Sequence, residues 1–130
     1  MRSLIDTNIA ILLIEDDRTT VQRVQTLLES PLLSVVSTVE LEVGLYEFGK
    51  EDVDLRQRLQ LLFAIAEELP FTRREVAAYG KIVAALGYSR RLIIDRMIAA
   101  TALTHSATLL TANARDFRGI PGLEIEDWSI

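Results

Sequence analysis

The segment Ser3-Leu4-Ile5-Asp6-Thr7-Asn8 begins the chain with a short apolar run that stops at an acidic residue. Three further acids follow apolar runs in the same way: Glu40 follows Leu33-Ser34-Val35-Val36, Asp95 follows Leu92-Ile93-Ile94, and Asp116 follows Thr108-Leu109-Leu110-Thr111. If these runs are parallel strands, all four carboxylates lie at the carboxyl edge of one sheet, where open α/β folds usually place their sites. Crowded carboxylates repel one another unless a cation offsets their charge, so the pattern predicts a site for hard divalent metal ions.

Apolar periodicity along the chain predicts one α/β domain that covers residues 1–130. The predicted strands are 2–5, 33–36, 107–111 and 123–125, and the predicted helices are 7–14, 18–29, one capped by Ser37, 53–68, 72–87 and 95–104. Strands that alternate with helices imply a parallel sheet covered by helices on both faces. We therefore expect a three-layer α/β/α fold with a central parallel sheet of four or five strands.

Composition describes an ordinary globular protein, with 49% hydrophobic and 25% charged residues. The absence of cysteine excludes disulfides and thiolate metal sites. The start of the chain does not resemble a signal peptide, and no apolar stretch reaches the roughly 18 residues that a membrane span needs. We expect a cytoplasmic protein with no membrane segment.

The net charge of −5 is unevenly distributed. Residues 73–118 carry eight basic and three acidic side chains, whereas the remaining chain carries six basic and sixteen acidic ones. A basic segment beside an acidic metal centre can follow a phosphate backbone. The alternative, that these arginines only solvate helix faces, is equally compatible with composition.

Four sequence segments around the acids occur in a characteristic order. They are Leu4-Ile5-Asp6-Thr7-Asn8, Glu40-Leu41-Glu42-Val43-Gly44, Ile94-Asp95-Arg96-Met97-Ile98-Ala99-Ala100 and Thr111-Ala112-Asn113-Ala114-Arg115-Asp116. Together they resemble the PIN-domain ribonucleases, and more closely the VapC-type toxins of bacterial toxin–antitoxin pairs. The resemblance extends from Leu4 to Trp128 and implies a PIN-like fold.

The resemblance also implies an activity, a metal and a set of partners. The activity is endoribonucleolytic cleavage that depends on Mg²⁺ or Mn²⁺, and the partners are RNA, a cognate antitoxin and a second copy of the chain in a homodimer. The implied metal ligands and catalytic residues are Asp6, Glu40, Asp95 and Asp116; the groups that orient them are Thr7, Asn8, Thr111 and Asn113; the candidate RNA contacts are Arg90, Arg91, Arg96 and Arg115. Many PIN domains carry an acid at the position of Asn113, which leaves open whether Asp116 binds metal directly or through water.

Each acid also has a simpler explanation. Asp6 precedes an apolar helix and could serve only as its N-cap. Ser37-Thr38-Val39-Glu40 matches a capping box, in which Glu40 would turn to the backbone. The only histidine, His105, lies ten residues after Asp95, about 15 Å along a helix, and is therefore not expected in the cluster.

Two alternative functions remain. Ile11-Leu12-Leu13-Ile14-Glu15-Asp16-Asp17 resembles the first strand and acidic pocket of a two-component receiver domain, with Asp54 as the phosphoacceptor. The sequence after Asp54 continues as an amphipathic helix, which a receiver does not allow. The other alternative is a PIN scaffold that binds RNA or a partner without cleaving it.

Overall fold

The computed structural model describes residues 2–129, which form five strands, six α-helices and one short 3-10 helix. In chain order the elements are β1 (Ser3–Ile5), α1 (Thr7–Ile14), α2 (Arg18–Gln25), β2 (Leu32–Ser34), α3 (Val35–Gly44), α4 (Val53–Ile65), β3 (Glu67–Leu69), α5 (Arg73–Leu86), α6 (Ile93–Thr104), β4 (Thr108–Thr111), the 3-10 helix (Ala114–Phe117) and β5 (Ile125–Asp127). None of the helices within residues 2–129 is long and apolar enough to cross a membrane.

The sheet is parallel throughout, and its strand order is β3-β2-β1-β4-β5. The predicted parallel sheet is therefore confirmed, with five strands. Ile5 in the central strand is in register with Leu33 of β2 on one side and Leu110 of β4 on the other. The chain moves outward from β1 to β3 and then returns to the far side of β1 at β4. A crevice at the carboxyl ends of β1 and β4 follows from this reversal.

Alternating strand residues bury the two faces of the sheet in separate cores. Leu4, Leu32 and Leu109 pack with residues of α5 and α6, which include Ile82 and Ile98. The next residue of each strand points to the opposite face: Ile5, Leu33 and Leu110 pack with residues of α1, α3 and α4 such as Ile9, Leu41 and Leu59. Because successive side chains of each strand point to opposite faces of the sheet, helices pack on both faces and form the predicted α/β/α layers.

Local signals explain where several helices begin and end. Thr72 and Glu75 form the predicted capping box at the start of α5, and Gly87, at φ +81°, ends that helix. The predicted cap at Ser37 is wrong, because Ser34 Oγ accepts a hydrogen bond from Val36 N and starts α3 one turn earlier. Ser37 is buried within α3 instead.

The possibility that Leu92-Ile93-Ile94 is a strand is also wrong, because α6 begins at Ile93 and Asp95 lies in its first turn. A three-residue apolar run does not distinguish a buried strand from the first turn of a buried helix. The predicted helix 53–68 ends at Ile65, and Glu67–Leu69 forms an edge strand paired with β2 that the polar sequence did not suggest.

The two-component receiver alternative is wrong, because the residues that it requires at strands lie in helices. Ile11–Ile14 belongs to α1, where a receiver requires its first strand. Asp54 lies in the exposed first turn of α4, whereas a phosphoacceptor would have to follow a buried strand.

The predicted helix 18–29 is present as α2, which ends earlier than predicted, at Gln25.

Candidate active site

Asp6 lies at the carboxyl end of the central strand and is only 3% exposed. Its Oδ1 accepts a hydrogen bond of 2.9 Å from Ile9 N, so it does cap α1. Its Oδ2 accepts a second bond of 2.5 Å from Thr111 Oγ1, which extends across the crevice from the end of β4. Burial raises the pKa of Asp6, against the lowering effect of these hydrogen bonds, and the charge of Glu40 raises it further. Asp6 therefore combines the capping role with a place in the acidic cluster.

Thr111 connects Asp6 to the next part of the site. Its buried hydroxyl donates to Asp6 and accepts from Asn113 N at 2.9 Å. The side chain of Asn113 donates from Nδ2 to Asp116 Oδ2 at 2.6 Å. These bonds fix the rotamers of two carboxylates that lie on different elements, as the predicted orienting roles of Thr111 and Asn113 require.

Glu40 is exposed on α3 and is held by Thr7 from the start of α1. Thr7 Oγ1 lies 2.5 Å from Glu40 Oε1 and 2.9 Å from Ser37 Oγ. A hydroxyl carries one hydrogen atom, so Thr7 can donate to the carboxylate and accept from Ser37. Ser37 was predicted only as a helix cap, and its contact with Thr7 was not predicted. The signal for that contact was its position one helical turn before Glu40. Asn8 has an exposed side chain and contributes a backbone hydrogen bond that lowers the pKa of Asp6.

Asp95 shows most directly that the four acids form one electrostatic unit. It lies half-buried in the first turn of α6. Its pKa is raised from 3.8 to about 6, first by burial and then by the charges of Asp116, Glu40 and Asp6, against the lowering effect of Arg91. The first turn of a helix favours an anion through the helix dipole, so burial together with the neighbouring carboxylates outweighs that effect.

Asp116 closes the cluster from the 3-10 helix. Its side chain is 18% exposed, accepts from Asn113, and lies 3.4 Å through Oδ1 from Arg91 Nη1. The structure thus brings Asp6, Glu40, Asp95 and Asp116 to one edge of the sheet. Asp95 is positioned there by the first turn of a helix, α6, and not by the end of a strand.

The donor set fits a hard divalent cation. All four charged groups are carboxylates, the ligands that Mg²⁺ and Mn²⁺ prefer, and a cation among them would offset the repulsion that raises the pKa of Asp95. Within residues 2–129, however, no three Asp, Glu or His side chains are already arranged to hold a metal ion. The fit therefore rests on donor chemistry and mutual electrostatics.

The candidate RNA contacts divide into two groups. Arg90, Arg91 and Arg115 are exposed beside the cluster. Arg96 is only 7% exposed, and its Nη1 donates to Gly87 O at 2.7 Å. Prediction of Arg96 as an RNA contact is therefore wrong, because the guanidinium is buried against the backbone that connects α5 to α6.

His105 lies at the C-terminal end of α6, as predicted, with Nε2 3.4 Å from Glu75 Oε2. It is thus at the opposite end of α6 from Asp95 and supplies no base to the cluster. The charged chemistry of the crevice consists of four carboxylates and the neighbouring arginines.

Comparison with known sequences agrees with the geometry. A family model described as the PIN domain matches residues 3–123. The protein named Ribonuclease VapC1 of Rickettsia felis is 37% identical over 101 residues, which cover 72% of this chain and 72% of that protein.

Known structures show the same fold. VapBC-1 from nontypeable Haemophilus influenzae has a chain with a TM-score of 0.81 and 28% identity, with 98% of each chain covered. A chain of VapBC2 from Rickettsia felis, solved with a promoter DNA fragment, gives a TM-score of 0.87 at 23% identity, with 99% of this chain and 100% of that one covered. The family match over nearly the whole chain, together with these relatives, shows that this chain belongs to the PIN domain family.

Proposed function

We propose that this chain is a metal-dependent endoribonuclease and the toxin of a toxin–antitoxin pair. The observation that carries the proposal is the cluster at the β1–β4 crevice, where Asp6, Glu40, Asp95 and Asp116 lie close enough to interact electrostatically. Relatives named as VapC ribonucleases support the choice of RNA as substrate. Structural neighbours that are VapBC complexes support an antitoxin as partner.

Asp6 and Asp95 would hold Mg²⁺ or Mn²⁺, with Glu40 and Asp116 completing the pocket. When bound, such an ion lowers the pKa of water and withdraws charge from a phosphate, which promotes hydrolysis of a phosphodiester.

The protein's own groups then have distinct tasks. Thr111 and Ile9 N fix both oxygens of Asp6, and Thr7 and Asn113 restrain Glu40 and Asp116. Arg91 is close enough to Asp116 to lie beside a phosphate that enters the cluster. In-line attack by water on phosphorus forms one P–O bond as another breaks; the attacking water releases a proton to solvent, and the departing oxygen takes one up.

Metal linkage is the test of the cluster that does not depend on activity. Mg²⁺ or Mn²⁺ should raise the melting temperature, because an ion that binds only the folded state stabilises it, by about 2.7 kcal/mol at one hundred times Kd. Asp95→Asn should reduce this increment, since it removes one ligand charge. Differential scanning calorimetry with and without EDTA measures both quantities.

The matched control is Asp52→Asn, which replaces the N-cap acid of α4, outside the cluster. Its metal-dependent increment should equal that of the wild type. Equal increments in wild type and Asp95→Asn would place the ion elsewhere and contradict the assignment of Asp95.

We propose that the antitoxin covers the exposed apolar surface next to Glu40. Val39, Val43 and Phe48 on α3 and the following loop are 60%, 69% and 89% exposed. Beside them a cavity of about 230 Å³ between α1, α3 and α4 is lined by Ile11, Leu45 and Glu40, among others. Exposed apolar patches that border a site are typical of interaction surfaces.

Phe48→Asp should therefore weaken binding of the protein encoded by a neighbouring small open reading frame, while RNA cleavage persists. The control is Leu28→Asp, because Leu28 is fully exposed and lies between α2 and β2, away from this surface. Titration calorimetry with the two variants compares them, and equal affinities would contradict the proposed surface.

A homodimer is the remaining proposal, supported by exposed apolar side chains on α5 such as Val76 and Leu86. Sedimentation equilibrium of the purified chain gives the oligomeric state, and a monomer at all concentrations would contradict it.

A further inference from the structure

The loop between α5 and α6 (residues 87–92, here the α5–α6 loop) presents an exposed aromatic ring among positive charges. Tyr88 is 67% exposed, and the side chain of Arg91 is 73% exposed. Arg90 is exposed as well. Within residues 2–129 the Tyr88 hydroxyl has no hydrogen-bond partner, and most of the ring faces solvent.

The backbone of the α5–α6 loop is fixed at both ends. Gly87 N donates to Val83 O at 2.8 Å, and Gly87 O accepts from the buried Arg96 Nη1 at 2.7 Å. At the other end Arg96 N donates to Leu92 O at 2.9 Å. Arg96 thus ties the start of the loop to α6. A side chain carried on a fixed backbone loses less conformational freedom when it binds a ligand.

The α5–α6 loop also borders the acidic cluster. Arg91 Nη1 lies 3.4 Å from Asp116 Oδ1. Tyr88 is three residues before Arg91, so their Cα atoms are at most roughly 11 Å apart. Tyr88 is therefore carried on the same short loop as the arginine that contacts Asp116.

We propose that Tyr88 is an RNA-binding residue that stacks on an unpaired base close to the scissile phosphate, while Arg90 and Arg91 contact neighbouring phosphates. The proposal rests on the proposed ribonuclease function and adds the subsite that holds the base. Single-stranded RNA is recognised in this way, by aromatic rings that stack on bases and by cations that follow the backbone. Stacking is tolerant of base identity, so this subsite contributes affinity and register more than sequence preference.

The test compares Tyr88→Leu and Tyr88→Phe for binding of a single-stranded RNA that the wild type cleaves, with Ca²⁺ in place of Mg²⁺ to suppress cleavage. Tyr88→Leu keeps an apolar side chain but removes the ring, and should weaken binding by about 5- to 150-fold, the equivalent of 1–3 kcal/mol for one stacked base. Tyr88→Phe keeps the ring and should bind as the wild type does. Both variants should melt at the wild-type temperature because the side chain is largely exposed.

A second arm identifies the base. An abasic substitution is moved along the RNA, and at one position it should weaken wild-type binding as much as Tyr88→Leu does, with no further loss when the two are combined. Wild-type affinity for Tyr88→Leu, or losses that simply add at every position, would overturn the stacking role. A wild-type protein that neither binds nor cleaves RNA would instead overturn the proposed function, so the two failures are distinguishable.

Discussion

Replacing either Asp6 or Asp95 with Asn is expected to abolish metal-dependent RNA cleavage while the fold remains intact. Asn keeps the size of the side chain and one acceptor oxygen but loses the charge that retains a cation. Loss of a group that only supports a metal ligand typically costs 10- to 100-fold, so loss of the ligand charge itself should cost on the order of 100-fold or more. Rates of cleavage of a labelled RNA at saturating Mg²⁺ measure the effect.

The hydrogen bonds around Asp6 explain why its variant should still fold. The Oδ1 of Asn can cap α1 at Ile9 N as the carboxylate does. The amide nitrogen would replace the oxygen that faces Thr111, and the Thr111 hydroxyl can rotate so that it accepts instead of donates. Relief of repulsion offsets the remaining cost, so melting in EDTA should not fall.

Asp95→Asn has a further signature in the pH dependence of stability without metal. The pKa of Asp95 is raised from 3.8 to about 6 in the fold, so the folded state binds more protons than the unfolded state between these values. The contribution of Asp95 to stability is therefore fully present below pH 3.8 and is lost as pH rises through 6. Urea unfolding in EDTA across this interval should show a steeper loss for the wild type than for Asp95→Asn.

Asp52→Asn again serves as control, because it changes an N-cap acid that is not part of the acidic cluster, and this variant should cleave RNA normally. Full activity of Asp6→Asn or Asp95→Asn would remove that residue from the site. Inactivity of wild type and variants alike, with RNA still bound, would favour the non-catalytic PIN scaffold.

The strands that form the crevice were predictable because their residues alternate between two buried faces. Leu4-Ile5 and Leu109-Leu110 each bury both side chains, one on each face, so they form continuous apolar runs that end at the site. Asp6 and Thr111 follow directly at the ends of these runs. Here local pattern and tertiary environment agree, so the positions of Asp6 and Thr111 at the sheet edge could be predicted from the sequence.

Asp95 shows where the pattern is insufficient. Leu92-Ile93-Ile94 is as apolar as a strand, yet Arg96 N bonds to Leu92 O in a helical turn. The acid still reaches the cluster because a helix can start at the same edge at which a strand ends. Edge strand β3 was missed for the opposite reason: two of its three residues are exposed glutamates, and only pairing with β2 makes it a strand.

Arg96 could not be distinguished from its neighbours by composition, because the eight basic residues of 73–118 look alike in sequence. Only the packing of α6 against α5 buries Arg96, whereas Arg90 and Arg91 project from the α5–α6 loop. Tertiary packing thus decides which cations can meet a substrate.

Replacing Arg90, Arg91 and Arg115 together with Ala is expected to weaken RNA binding and flatten its salt dependence. Removal of one arginine–phosphate interaction should reduce the magnitude of the slope of log K against log salt by about 0.7 for a single strand, and removal of all three should reduce it by about 2. Binding in Ca²⁺ at several salt concentrations measures the slope. Metal-dependent stabilisation should persist, because none of the three is a ligand and removal of Arg91 withdraws a positive charge from beside Asp116.

A control variant with Ala at Arg18, Lys50 and Arg58 removes the same charge from exposed positions outside the cluster and outside the basic segment 73–118. If long-range attraction alone guided RNA, both triple variants would bind RNA equally weakly, since the change in net charge is identical. If the three arginines bind phosphates directly, only their variant should show the flattened slope, because counterion release requires local binding. A wild-type slope in that variant would leave these arginines as solvated helix and loop residues and would place the RNA on another surface.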